Sequence, residues 1–322
     1  MDGANEGRHH PHPEIVMDKF YVDTVRLLLA TLPEVFAFPK FALKGGTALN
    51  LFVQNMPRLS VDIDVVFTDH LTPRTEALKE IAAGLVDAQQ RLKSRGIESE
   101  LITAAQGEET KLFVNQNRLE VKVEVNHVFR GTLLPVVTKR LNKNARDLFT
   151  TEVSAPVLAS EELYGSKIVA ALDRQHPRDF FDIEQMFAGT GLTSAVADCF
   201  ICYLAGHNRP VHEVLFSRDR ELRMVFENEF QGMTRDPVSL DRLEHTRTRL
   251  RKELLGSLTA AHHRFLSSIL ECEPEWDLIQ FAHLKDMPAL RWKIQNLTKL
   301  KSANPKKFQQ QAAALREQLE QP

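Results

Sequence analysis

The strictest constraint on the fold is an alternation between Leu119 and Asn126. Leu119, Val121, Val123 and Val125 face one way, and Glu120, Lys122, Glu124 and Asn126 face the other. A period of two fits a strand with one buried and one exposed face, and it fits no helix. The run Val61-Asp-Ile-Asp-Val-Val-Phe67 alternates apolar and acidic residues in the same manner. The chain must therefore build a sheet with one apolar face and one face that carries carboxylates. Further strands are expected at Phe41-Ala-Leu43, near Ile97 to Ala104 and near Lys111 to Val114.

Helical spacing brackets these strands. Val16, Met17, Phe20, Thr24, Leu27 and Leu28 recur at intervals of three and four, with Pro13 in a first turn and Pro33 just past the end. A long helix is expected from about Arg74 to Arg95, where Gly96 stops it. After Ala155-Pro156 the pattern is helical, broken at Pro210 and Pro274 and closing with a Gln- and Ala-rich helix from about Pro305 to Leu319. Residues 1–12 include His9, His10 and His12 and show no apolar period, so they are expected to be a disordered lead-in. The reading is an α+β protein: a mixed sheet flanked by helices over residues 13–155, then a helical bundle over 156–322. A chain of 322 residues suits two such domains.

Composition narrows the class. Hydrophobic residues at 43% and charged residues at 26% lie at the globular average, which excludes wholesale disorder. No apolar run approaches the roughly 18–20 residues that span a bilayer, and the N-terminus is polar where a signal peptide is basic then apolar, so a cytoplasmic protein is expected. Three cysteines make no disulfide framework. Cys199 and Cys202 form a CxxC inside an apolar run, with only His207 and His212 near as further ligands, and helix packing is the expected role. The stretch from Arg291 to Lys307 holds Arg291, Lys293, Lys299, Lys301, Lys306 and Lys307 without an acid, which suits either a polyanion or a solvated helix face. No helix-turn-helix or zinc pattern points to sequence-specific DNA binding.

Two elements carry chemistry. Asp62 and Asp64, two apart on a strand, point to one face with Cα atoms about 7 Å apart, near enough to hold one or two divalent ions. Gly45-Gly46 lacks Cβ atoms, so its backbone can turn sharply and bring N–H groups to phosphate oxygens, while the helix beginning near Thr47 directs its positive end at them. Thr47 can add a hydroxyl contact. Each element alone is common. A strand, Gly-Gly-Thr, helix, and then a strand with Asp-x-Asp about fifteen residues on is far more specific. It is the layout needed to place an NTP beside magnesium and transfer its nucleotidyl group to a hydroxyl.

The run Leu43-Lys-Gly-Gly-Thr-Ala-Leu49 with Arg58-Leu-Ser-Val-Asp-Ile-Asp64 resembles the AbiEii/MenT group of nucleotidyltransferases, the toxins of type IV toxin–antitoxin and phage-defence systems. Glu162-Leu-Tyr-Gly-Ser-Lys167 and Asp173-Arg-Gln-His-Pro-Arg-Asp-Phe-Phe-Asp182 are similar to that group's later motifs, so the likeness runs from about Leu43 to Phe187. The resemblance implies that Gly45, Gly46 and Thr47 cradle the triphosphate. Asp62, Asp64 and Glu124 hold magnesium or manganese, although Glu120 shares the polar face with Glu124 and stays open as the third carboxylate. It further implies that Lys167 neutralises phosphate charge and that Asp182 orients Lys167 or the nucleotide. Asp179 competes for that role, an Arg178/Asp179 pair being read as a structural contact. Arg58 and Ser60 support the site from behind. The implied acceptor is RNA, a tRNA 3′ end, and the implied partner is an antitoxin. Transfer to a protein or to a small hydroxylated molecule such as an aminoglycoside keeps the same chemistry, and a nucleotide-binding module without catalysis is the reading from another class. Neither the NTP chosen nor the oligomeric state follows from these residues.

Overall fold

The structure is a computed structural model that describes residues 17–103 and 110–320. The expected lead-in at 1–12, with its histidines, lies outside the described residues, as does Pro13. Within them the strands are β1 (Phe41–Lys44), β2 (Asp62–Phe67), β3 (Glu98–Thr103), β4 (Thr110–Gln116), β5 (Leu119–Asn126), β6 (Val137–Arg140) and β7 (Ser154–Val157). They form one mixed sheet in the order β3-β4-β5-β2-β1-β7-β6. β1 runs antiparallel to β2, which lies parallel to β5. The expected alternation is realised: Val121 and Val123 are fully buried, as are Ile63 and Val65, and the polar positions between them share the other face.

Helices α1 (Lys19–Val35) and α3 (Arg74–Ser94) pack on the strands, bringing Leu28, Leu32, Ile81 and Leu85 into the core. α1 starts where Asp18 accepts a hydrogen bond from the Phe20 amide at 2.7 Å, a standard N-cap. Pro33 lies inside α1 instead of past its end. The last turn persists because Leu32 and Val35, on either side, are fully buried, and that packing offsets the backbone bond a proline cannot make. Between β1 and β2 the short α2 (Gly45–Thr47) continues into a π-helical turn, Ala48–Val53.

Strands β6 and β7 show no period in the sequence. Each has four residues, and β7 contains Pro156, so neither presents an alternation long enough to read. β7 pairs with β1 at Leu43↔Val157. The boundary expected between 155 and 156 thus falls inside a sheet strand, and the change from sheet to helix comes at α5 (Ser160–Asp173). α4 (Lys143–Phe149) sits between β6 and β7. The remaining helices are α6 (Pro177–Ala188), α7 (Ser194–Ala205), α8 (Val211–Leu215), α9 (Arg223–Glu229), α10 (Leu240–Ser257), α11 (Ala260–Glu271), α12 (Pro288–Ala303) and α13 (Pro305–Glu320). α5 is their hub: it packs on α6, α7 and α8 and touches the segment after β1.

Cys199 and Cys202 are buried on α7, and burial pushes both thiols up, so this CxxC is helix packing. Lys293, expected on a basic face, is instead buried. Its Nζ donates to the carbonyls of His207 (2.8 Å) and Arg209 (2.7 Å), and burial pushes its pKa down to about 8. Among the described residues no helix is long and apolar enough to cross a membrane.

The helices are fastened to the sheet by a buried ionic network. Arg58, 2% exposed, forks onto Asp182, with Nε to Oδ1 at 2.8 Å and Nη2 to Oδ2 at 2.7 Å. Lys167 Nζ lies 2.9 Å from both Asp182 and Asp179, and Asn50 donates to Asp182 at 3.0 Å. Arg174 completes the set on Asp179. Burial alone would raise both aspartates. Lys167 and Arg174 instead hold Asp179 well below the ordinary range, and Arg58 and Lys167 do the same for Asp182. Removing one partner strands buried charge, so Asp182→Asn is expected to cost about 3–5 kcal/mol in urea unfolding at pH 7. Because both folded-state values are depressed, that deficit against the native chain is expected to be full above about pH 4 and to shrink as pH falls further. A deficit under ~1 kcal/mol would contradict the network's role.

Candidate active site

The Gly-Gly turn and the carboxylate strand are fitted to each other atom by atom. Gly45 has φ +74°, and a Cβ there would stand 2.0 Å from Asp64 Oδ2. A Cβ on Gly46 would meet Arg58 Nη2 and Ser60 Oγ, each at 2.9 Å. Glycine is therefore needed twice, once for the backbone conformation and close approach and once for close approach alone. Ser60 is buried against Gly46 and does not face the open cleft. Thr47 is fully buried too, and its hydroxyl donates to the Asp62 carbonyl at 2.5 Å. That is a correction to the expected phosphate contact: the hydroxyl pins the turn to β2, because the chain enters a buried helix there instead of an exposed one.

Strand register sets the charges in a row. Lys44 on β1 stands opposite Asp64 on β2, Asp64 opposite Glu124 on β5, and Glu124 opposite Lys111 on β4. The row therefore reads plus, minus, minus, plus across four strands about 4.8 Å apart. Asp62 is one step along the same face, opposite Lys122. This placement separates Glu124 from Glu120, which is exposed and opposite Asn115, four residues from the row. Glu124 is turned onto two ammonium groups, Lys111 at 2.5 Å and Lys122 at 2.8 Å. Burial pushes Glu124 up, but these lysines outweigh it and hold it below the ordinary range. Asp64 moves the other way: burial raises it, Lys44 opposes, and the neighbouring Asp62 adds to the rise. Among the described residues, no three carboxylate, imidazole or thiol groups converge closely enough to hold an ion in this arrangement. The expected three-carboxylate cluster shares one face without closing, because Glu124 is satisfied by its lysines.

A cleft of about 400 Å³ opens between this row and α5 and α7. Its charged edge is Lys44, Asp64, Lys167, Asp173 and Arg174, and its apolar wall includes Val128, Phe129 and Tyr203. The Phe129 and Tyr203 rings stack at 3.9 Å between centroids. Lys167 reaches the cleft but is 5% exposed and committed to two aspartates, whereas Arg174 has a largely exposed side chain. Asp182 is fully buried, so it touches Lys167 and Arg58 and not the cleft. Asp179 is buried as well and pairs with Lys167 and Arg174, not with Arg178, which lies toward Asp62 (3.9 Å) and Glu229.

Residues 26–296 match the family described as the nucleotidyl transferase AbiEii toxin of type IV toxin–antitoxin systems. The chain belongs to that AbiEii family. It is accordingly a nucleotidyltransferase, and a toxin of this class acts on an NTP and is countered by an antitoxin. Among solved structures it is similar to the MenT4 nucleotidyltransferase toxin from Mycobacterium tuberculosis, at 17% identity over 87% of this chain and 95% of the other, with a TM-score of 0.58. A terminal uridylyl transferase from Trypanosoma brucei, solved with UTP and UMP, aligns over 79% of this chain and 74% of its own at 14% identity and a TM-score of 0.25. No curated protein matches by sequence.

Two residues of this AbiEii chain's site carry no mark of their own in the sequence. Lys44 is the last residue of β1, and Arg174 caps the C-terminal end of α5. Lys44 directly precedes Gly45, and Arg174 follows Asp173 at the start of the Asp173–Asp182 motif, so adjacency to the motifs was the available signal. Gly45→Ala is expected to destabilise by about 2 kcal/mol or more through strain at positive φ and contact with Asp64, read as a shift in the urea midpoint. A neutral substitution would show that Asp64 can swing away at no cost.

Proposed function

We propose that this toxin moves a nucleotide from an NTP to the 3′-hydroxyl of an RNA, most specifically the acceptor end of tRNA, with magnesium or manganese. The observation that carries the reading is the Lys44–Asp64–Glu124 row standing beside a cleft edged by Lys167 and Arg174. The donors fit a hard divalent ion: all are carboxylate oxygens, and Asp64 is raised in part by the neighbouring charge of Asp62. Asp62 and Asp64 would hold the metal, with Glu124 joining when it leaves Lys111 and Lys122. Magnesium, when bound, would supply positive charge against the phosphates and acidify the acceptor hydroxyl.

The chain's own groups do the rest. The Gly45-Gly46 backbone borders the phosphates, and Lys44 and Arg174 balance their charge. Lys167 adds to that charge, and Asp182 is a positioning residue that holds it in place. The acceptor oxygen attacks the α-phosphorus with its lone pair while the bond to the α–β bridging oxygen breaks, and pyrophosphate leaves with that electron pair. The hydroxyl proton passes to a carboxylate, the role this reading gives Glu124 once it is released from Lys111 and Lys122. The sheet thus supplies the carboxylates and Lys44, and α5 with its C-terminal cap supplies Lys167 and Arg174.

Purified protein incubated with each α-labelled NTP, magnesium and total tRNA is expected to label RNA and release pyrophosphate. Label in protein or in a small hydroxylated compound, with none in RNA under any NTP, overturns the RNA reading. Asp62→Ala and Asp64→Asn are each expected to lower transfer at least ~100-fold, about 2.7 kcal/mol in the barrier. Both should abolish toxicity on expression and leave the melting temperature nearly unchanged for the half-exposed Asp62. Retained activity in either variant removes the metal-holding assignment.

A further inference from the structure

Beyond the carboxylate row lies a second cavity, of about 620 Å³, that the donor cleft does not include. His127 and Val128, immediately after β5, line both this cavity and the hollow that contains Asp64 and Glu124. Val128 lines the donor cleft as well, so the cavity adjoins both the cleft and the carboxylate hollow at the end of β5.

Its construction is that of an anion site. The N-terminal ends of α3 and α12 both open into it, through Pro73 and Arg74 on one and Pro288 and Arg291 on the other. Neither helix has a side-chain N-cap, so the partial positive charge of both helix starts lies beside it. Arg74, Arg130 and Arg291 line it, and among the described lining residues none is acidic. Glu76, in the first turn of α3, is exposed and outside the lining. Arg130 is the telling residue. It is 4% exposed, yet its Nε has no hydrogen-bond partner among the described residues, and its Nη1 makes a long 3.4 Å contact with the Arg74 carbonyl. Burial pushes its pKa down and the neighbouring Arg74 pushes the same way, so the protein holds a desolvated guanidinium beside another cation. At the mouth stands Trp292, 42% exposed beside Arg291.

We propose that this cavity receives the 3′-terminal segment of the acceptor RNA, with phosphates on Arg130, Arg291 and the two helix ends and a base stacked on Trp292. The inference rests on the RNA-acceptor reading above and assigns where that strand lies. The volume exceeds what a single phosphate fills, and arginines beside an exposed indole are the combination that binds single strands through backbone and stacking. In-line displacement also needs the acceptor oxygen beside the carboxylates, and a strand seated here reaches them past His127 and Val128.

The test uses the full chain and a 5′-fluorescein RNA oligonucleotide with the sequence of a tRNA acceptor strand and an open 3′-hydroxyl, followed by anisotropy over a range of salt. Arg291→Glu and Trp292→Ala alter exposed side chains, so folding is expected to survive, as a thermal melt checks. Each should weaken RNA binding at least ~10-fold, and Arg291→Glu should flatten the slope of log affinity against log salt by roughly 0.7 for each phosphate it no longer engages. Affinity for a fluorescent NTP should not change. Unchanged RNA affinity in both variants, a parallel loss of NTP binding, or no RNA binding by the native chain overturns the proposal. If the native chain binds this RNA, loses it on substitution, yet labels no RNA with any NTP, the cavity stands and the transfer reading falls. If both variants label RNA with a native KM, the cavity falls and the transfer reading stands.

Discussion

A carboxylate with no access to water, Asp182, is the point on which the site turns. Its oxygens take the Arg58 fork, the Lys167 ammonium and the Asn50 amide, which come from three separate stretches of chain. Arg58 belongs to the segment that leads into Asp62 and Asp64, Asn50 to the turn after Gly45-Gly46, and Lys167 to α5. One buried anion thereby sets the distance between the carboxylate strand, the glycine turn and the helix that brings the cations. A buried ion pair of this kind adds little net stability compared with an apolar replacement; its contribution is geometric, because moving any of the three elements away strands buried charge. Gly46 shows how tight the fit is, since even a methyl group there would press on Arg58 and Ser60.

On the open side of that network the sheet holds a different balance. Two carboxylates, Asp64 and Glu124, are adjacent across strands and flanked by Lys44 and Lys111. Like charges side by side at strand spacing repel. The two resolve it in opposite ways: Glu124 is drawn down by its lysines, and Asp64, half-buried and next to Asp62, is driven up. Asp64 thus lies at the edge of the cleft where Arg174 and Lys167 face the phosphates in the proposed reading. Lys111 and Lys122 balance Glu124 in this arrangement, which makes its release from them a part of any step in which it serves.

The family match and the fold agree with this layout. Residues 26–296 cover both the sheet and most of the helices, so the helical half belongs to the same functional unit as the strands. The likeness to MenT4 spans nearly all of that protein at low identity, which is what a shared backbone with divergent surfaces gives. The second cavity is assembled from the start of α3, the turn after β5 and the start of α12.

The sequence by itself determined the two long strands, their acidic face, the glycine turn and the helices α3 and α13, because each rests on local periodicity or on the conformational freedom of glycine. It also placed Asp62 and Asp64 together, since two residues apart on a strand is a local relation. Tertiary structure alone decided the rest. Which of Glu120 and Glu124 stands beside Asp64 depends on register between strands that are distant in sequence. Thr47 and Asp182 turned out to be buried, and Lys293 left the basic face, because burial is a property of packing and not of residue type. Strands β6 and β7 were too short to show a period and exist through their neighbours, with β7 seated against β1. Arg130, Arg291 and Trp292 lie far apart along the chain from Arg74, and only the close packing of α3, α12 and the end of β5 makes one cavity of them.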